Sequence, residues 1–229
     1  ANNIFAGSSE NGVYLSTNNG TNWVQTALNN NDVRSLAISG NNIFAGTYKG
    51  VYLSANNGTS WNQTALNNQD VRSLAISGNN IFAGTFYAGV YLSTNNGNNW
   101  ILSGLHGQIL RSLVISGNNI FAGTYGGVYL STNNGQTWSQ TALNNQSVYS
   151  LAISGNNIFA GAVYGVYHST NNGTSWIQTA LNNKIVWSLA ISGNNIFVGT
   201  AGDGVYLSTN NGTTWTQTSL NNQDVYSLD

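Results

Sequence analysis

Six positions in this chain pair side chains suited to recognition with a fixed spacing. Arg34, Arg72, Arg111, Tyr149, Trp187 and Tyr226 each stand eleven residues after a tryptophan. A guanidinium fits a carboxylate or phosphate and also stacks on rings. Tyr and Trp faces suit the C–H faces of sugars and other apolar surfaces. Asp32 and Asp70 lie two residues before Arg34 and Arg72, so a local ion pair is the plain structural alternative. A second aromatic set, Tyr48, Phe86, Tyr87, Tyr125 and Tyr164, falls in short variable connections. Exposed aromatics are not a default surface choice. His106 sits in the aberrant run Leu102–Arg111 and is read either as an acid–base group or as a polar loop residue. His168 replaces a leucine of the other copies and reads as a packing substitution. The chain has one glutamate, Glu10, no cysteine, and no histidine with close acidic neighbours. No catalytic set, metal site or cofactor is therefore expected.

These positions recur because the chain is a repeat. Trp23, Trp61, Trp100, Trp138, Trp176 and Trp215 are spaced by 38, 39, 38, 38 and 39 residues. Asn-Asn-Ile-Phe-Ala-Gly occurs five times, and Asn-Asn-Ile-Phe-Val-Gly once from Asn194. One unit reads as four strands: A over Val71–Ser77, B over Asn80–Thr85, C over Val90–Thr94 and D over Trp100–Leu105. Ser-Gly-Asn-Asn between A and B, and Asn-Asn-Gly between C and D, are turn signals. Continuous apolar runs such as Ile81-Phe82-Ala83 are those of sheets covered on both faces.

The expected fold is all-β: a six-bladed β-propeller of four-stranded antiparallel blades, one domain over residues 1–229. The chain begins at strand B, Ile4-Phe5, and ends with a strand A, Val225 to Leu228. The expectation is that this C-terminal strand completes the N-terminal blade and closes the ring. In a four-stranded meander the B–C and D–A connections share one face of the disc. Those are the connections that differ among copies, and every charged residue except Asp229 falls in them. Loops on a rigid scaffold are where binding is usually carried, although drift of exposed loops explains Glu10, Lys49 and Asp203 equally well.

Composition excludes several classes. With 5 basic and 6 acidic residues, and no basic stripe, nucleic acid is a poor partner. No run of eighteen apolar residues is present, so no membrane-spanning helix is expected. The start within a repeat, without Met, is that of a mature or trimmed chain. Low charge with abundant Asn, Ser and Thr leans toward an extracellular or cell-envelope monomer.

The C–D turn reads Ser-x-Asn-Asn-Gly-x-x-Trp in every copy, for example Ser131, Asn133, Asn134, Gly135 and Trp138. It resembles the Asp-box, or BNR repeat, of sialidase-like propellers. Asn18, Asn56, Asn95, Asn133, Asn171 and Asn210 replace the usual Asp. In the family this box is a fold element away from the binding face. The resemblance implies a propeller but no single activity, since such proteins include hydrolases, lectins and assembly factors. The sialidase arginine triad and Tyr–Glu pair have no counterpart here, because all three arginines share one repeat position. The expected function is a non-enzymatic, lectin-like propeller binding a neutral or mildly acidic glycan. The alternatives are a sialidase-like glycan-processing enzyme and a structural or protein-interaction module. Near-identical copies are also the mark of a recently amplified or laboratory-built repeat.

Overall fold

The computed structural model describes residues 3–228. Among them there is no helix. The strands form six antiparallel sheets, the blades of a six-bladed β-propeller fold. The first blade holds β1 (Ile4–Ser8), β2 (Gly12–Ser16) and β3 (Val24–Gln25). The second holds β4 (Val33–Ser39), β5 (Asn42–Thr47), β6 (Gly50–Ser54) and β7 (Asn62–Asn67). The third holds β8 (Val71–Ser77), β9 (Asn80–Thr85), β10 (Val90–Ser93) and β11 (Ile101–Gly104). The fourth holds β12 (Leu110–Ser116), β13 (Asn119–Thr124), β14 (Gly127–Ser131) and β15 (Ser139–Gln140). The fifth holds β16 (Val148–Ser154), β17 (Asn157–Ala162), β18 (Gly165–Ser169) and β19 (Ile177–Asn182). The sixth holds β20 (Val186–Ser192), β21 (Asn195–Thr200), β22 (Val205–Ser208) and β23 (Thr216–Gln217). Contacts divide the chain inside β12 into two compact units, Ala1–Leu113 and Val114–Asp229.

The second strand of a blade is its most buried element, because it is covered on both faces. Phe44, Phe82, Phe121 and Phe159 are all buried. In the first unit Phe44, Val51 and Leu66 of one blade pack with Val71, Leu74 and Ile81 of the next. In the second unit Phe159, Val166 and Leu181 pack in the same way with Val186, Leu189 and Ile196. Gly46 permits this approach: a Cβ there would lie 2.8 Å from Val71 Cγ1, too close for two carbons. A serine on the first strand then fastens neighbouring blades. Ser35 Oγ accepts from Leu74 N at 2.9 Å, Ser73 Oγ from Leu113 N at 2.9 Å, and Ser150 Oγ from Leu189 N at 3.1 Å.

The C–D turn keeps its geometry with Asn in place of Asp. Ser54 Oγ donates to Asn56 Oδ1 at 3.0 Å, and Asn56 Oδ1 also accepts from Ser60 N at 2.9 Å. Gly58 N donates back to Ser54 Oγ at 2.9 Å. An amide oxygen can take the place of a carboxylate oxygen here because only acceptance is required. The following Trp anchors the turn to the preceding blade. Trp61 Nε1 donates to Thr26 Oγ1, and Trp215 Nε1 to Thr179 Oγ1, both at 3.2 Å.

Among the described residues the first sheet holds β1, β2 and β3. At the chain end Val225 meets the sixth blade: its N–H donates to Thr200 O at 3.0 Å, and its carbonyl accepts from Ser188 Oγ at 3.2 Å.

Candidate functional site

The six spaced positions lie on or beside the first strand of each repeat and divide into two chemically different groups, one in each unit. In Ala1–Leu113 two of the three arginines, Arg34 and Arg72, are held by carboxylates. Arg34 Nη2 lies 2.6 Å from Asp32 Oδ2, and Arg34 Nε lies 3.3 Å from Asp70 Oδ1. Arg72 Nη2 lies 2.6 Å from the other oxygen of Asp70. The Arg72 guanidinium also covers the Phe86 ring at 4.7 Å, and Tyr87 meets Phe86 edge-on at 4.7 Å. The local pairing is therefore realised, and Asp70 extends it from one blade to the next. Arg111 is half-buried on β12, with Ile109 where the other two arginines have Asp.

In Val114–Asp229 the same repeat position builds an aromatic arc. Tyr125 meets Tyr149 edge-on at 6.0 Å, Tyr149 lies 4.6 Å from Trp187, and Trp187 lies 6.0 Å from Tyr226. Tyr125 and Tyr226 are exposed, while Tyr149 and Trp187 are half-buried. The indole Nε1–H of Trp187 is buried and has no hydrogen-bond partner among the described residues. Such an orphan donor costs free energy unless something accepts from it. The arc thus joins three D–A residues to one B–C residue, two sets that sequence reading kept apart.

The remaining candidates stand outside both groups. Tyr48 is exposed and lines a cleft of about 290 Å³ with Glu10, Asn30, Asn31, Asp32 and Lys49. Tyr164 is exposed, and its carbonyl accepts from Gln178 Nε2 at 2.5 Å. His106 is exposed at the turn where Gly107 N donates to Tyr87 O at 2.8 Å. Among the described residues no group of three or more His, Cys, Asp or Glu is placed to hold a metal. No helix of the described residues is long and apolar enough to cross a membrane.

His168 is a packing residue, as its repeat position implies. Its ring stacks on Phe159 at 4.4 Å and 7°, and Nε2 donates to Asn157 Oδ1 at 2.8 Å. Burial lowers its pKa from 6.5. The folded state therefore favours neutral imidazole, and the unfolded chain takes up the proton first as pH falls. Stability contributed here is complete above about pH 6.5 and is lost as pH falls toward the depressed folded value. His168→Leu, the residue of the other copies, is expected to flatten the decline in melting temperature between about pH 7 and 5. Equal declines in both proteins would assign that pH dependence to other groups.

Sequence reading missed one regular feature. The residue after each tryptophan is Val24, Asn62, Ile101, Ser139, Ile177 and Thr216 in turn. Apolar and polar residues alternate from blade to blade. The apolar ones are largely uncovered, at 69% for Val24, 63% for Ile101 and 74% for Ile177. Comparing the six copies at strand D would have revealed it.

Residues 129–140 match the BNR/Asp-box repeat model. The same turn recurs in every copy with Asn at the box position, in a chain whose fold is a six-bladed propeller. No curated protein matches it. Among solved structures, an ancestral GH74 enzyme is 24% identical with TM-score 0.76, over 90% of this chain and 34% of that one. The GH74 xyloglucanase from Xanthomonas campestris is 12% identical with TM-score 0.78, over 93% and 43%. YCF48 from Cyanidioschyzon merolae is 15% identical with TM-score 0.70, over 97% and 87%. This chain thus spans about a third of the length of the ancestral GH74 enzyme. At these identities the likeness is one of fold.

Proposed function

We propose that this chain is a non-enzymatic, single-domain binding propeller that takes a neutral or mildly acidic glycan on its aromatic arc. The observation that carries the reading is the arc itself. Four rings, Tyr125, Tyr149, Trp187 and Tyr226, stand in a row with successive centroids 4.6 to 6.0 Å apart. A row of rings offers successive apolar platforms to pyranose C–H faces. The occupied arginines of the other unit weaken the case for a strongly acidic ligand, because Asp32 and Asp70 already supply the negative charge.

A binding role outside the cell or in its envelope, as a monomer, agrees with this reading. Similar structures include GH74 enzymes and an extracellular domain from B. thetaiotaomicron. A glycan array followed by calorimetry tests the proposal. Trp187→Ala is expected to weaken the best glycan at least about tenfold, at a salt-independent affinity for a neutral sugar. Unchanged affinity in a folded Trp187→Ala protein would remove the arc as the site.

A further inference from the structure

Seven Asn-Gly steps stand in this chain: Asn11-Gly12, and one in each C–D turn, beginning at Asn19, Asn57, Asn96, Asn134, Asn172 and Asn211. This dipeptide is prone to lose ammonia, because glycine has no side chain to hinder a close approach to its nitrogen. The glycine nitrogen gives up its proton and forms a bond to the asparagine Cγ. The Cγ–Nδ2 bond breaks, and ammonia leaves with that proton. Water then opens the five-membered imide and leaves aspartate or isoaspartate. Each event adds one negative charge to a chain whose formal net charge is -1, and isoaspartate also lengthens the backbone inside the turn. All seven asparagines are exposed to the water that completes the reaction.

The attacking nitrogens are placed differently. In all six C–D turns the glycine N–H donates to the hydroxyl of the serine three residues before the asparagine, at 2.8–2.9 Å. These serines are buried. Each hydroxyl proton is already committed, as in Ser54 Oγ to Asn56 Oδ1 and Ser208 Oγ to Asn210 Oδ1, both at 3.0 Å, so the oxygen is left to accept. Five of the six glycines are buried, and Gly20 is half-buried. Gly12 is buried too, and its N–H donates to Asn31 O at 2.9 Å. Attack requires the nitrogen to shed its proton. Burial opposes that step because it disfavours the anion, and the hydrogen bond opposes it because the donor is lost with the proton.

We propose that the serine of each C–D turn guards the adjacent Asn-Gly step: by accepting from the glycine N–H it keeps the asparagine intact, and a turn that opens becomes a modification site. The role belongs to the serine oxygen and needs no ligand, so it stands apart from the glycan reading. Its test uses Ser54→Ala and Ser208→Ala in the whole chain, incubated in mildly alkaline buffer. Peptide mass spectrometry reads ammonia loss and isoaspartate at all seven steps. The turns keep other bonds in these variants. Ser60 N donates to Asn56 Oδ1 and Thr214 N to Asn210 Oδ1, both at 2.9 Å, and Thr59 N and Thr213 N donate to Asn56 O and Asn210 O. Ser54→Ala is expected to speed the loss at Asn57 alone, and Ser208→Ala at Asn211 alone. Each acceleration is expected to be about three- to tenfold, the range of one net hydrogen bond. Wild type unfolded in urea is expected to react faster at all seven steps than the folded chain. The untouched steps serve as controls within each variant. Equal acceleration at all seven in a variant overturns the proposal, because protection then belongs to the fold as a whole. Unchanged rates at Asn57 and Asn211 in the two variants overturn it as well, and so does a folded wild type as labile as the chain in urea.

Discussion

Gly50→Ala is expected to cost the fold several times what Gly78→Ala costs, although both replace a glycine at positive φ by the same residue. Gly50 holds φ of 116° at the start of β6, where a register shift brings it against the backbone of its neighbour β7. A Cβ there would overlap the carbonyl oxygen of Leu66 and come within 2.8 Å of Asn67 Cα. Backbone cannot step aside as a side chain can, and Gly50 is also tied by its carbonyl, which accepts from buried Thr47 Oγ1 at 2.9 Å. The unfavourable φ contributes about 1–3 kcal/mol and the overlap about as much again. Gly78, in the A–B turn, holds φ of 57° with nothing within 4 Å of its added Cβ. Its penalty is confined to about 1–2 kcal/mol for a left-handed alanine. At about 2–4 °C per kcal/mol for a chain of this size, Gly50→Ala is expected to melt on the order of 10 °C lower than wild type. Equal shifts for the two variants would show that the close approach of β6 and β7 at Gly50 relaxes freely.

The same glycine shows why the blades were legible in the sequence. Each copy repeats its turn chemistry, its small residue at a close approach and its apolar run, and all three are local. Strands A and B of the third blade, Val71–Ser77 and Asn80–Thr85, begin and end where the turns place them. Strand C stops at Ser93 rather than Thr94, because the serine hydroxyl already caps the turn by accepting from Gly97 N at 2.9 Å. Val225 at the chain end has the sequence of a first strand, and its contacts with Thr200 and Ser188 of the sixth blade depend on neighbouring sheets, which one copy read alone does not reveal.

The site was legible by position and not by grouping. Spacing located the residues eleven after each tryptophan. It also gave the pairs Asp32–Arg34 and Asp70–Arg72, which lie two residues apart in sequence. It could not give Arg34–Asp70, which joins neighbouring blades, nor the contact of Tyr125 with Tyr149, since both depend on how sheets stack in space. The uncovered aliphatics Val24, Ile101 and Ile177 were invisible for a different reason. Exposure of an apolar residue on an edge strand is decided by what fails to cover it, and periodicity within one strand carries no sign of that.

Asp70→Ala is expected to be the most damaging single change among the candidate site residues, and to alter binding in a direction of its own. One carboxylate holds two guanidiniums here, and its side chain is only 12% exposed. Removing one partner of a buried pair costs about 3–5 kcal/mol, because the other charge is left without compensation. The residual exposure places this site at the lower end, so a fall in melting temperature of roughly 6–12 °C is expected. Arg34 keeps Asp32, whereas among the described residues Arg72 keeps the face of Phe86 and no carboxylate. The repeat supplies its own control, since the fifth blade has Ser147 and Tyr149 where the third has Asp70 and Arg72. The double variant Asp70→Ser/Arg72→Tyr is therefore expected to recover most of the loss, as replacing a whole buried pair usually does. Asp70→Ala alone should also gain weak affinity for a sulfated oligosaccharide, falling steeply as salt rises, because Arg72 is released. A melting temperature unchanged by Asp70→Ala, with no gain of anion binding, would mean that the bridge contributes nothing and that the arginines were available to ligand throughout.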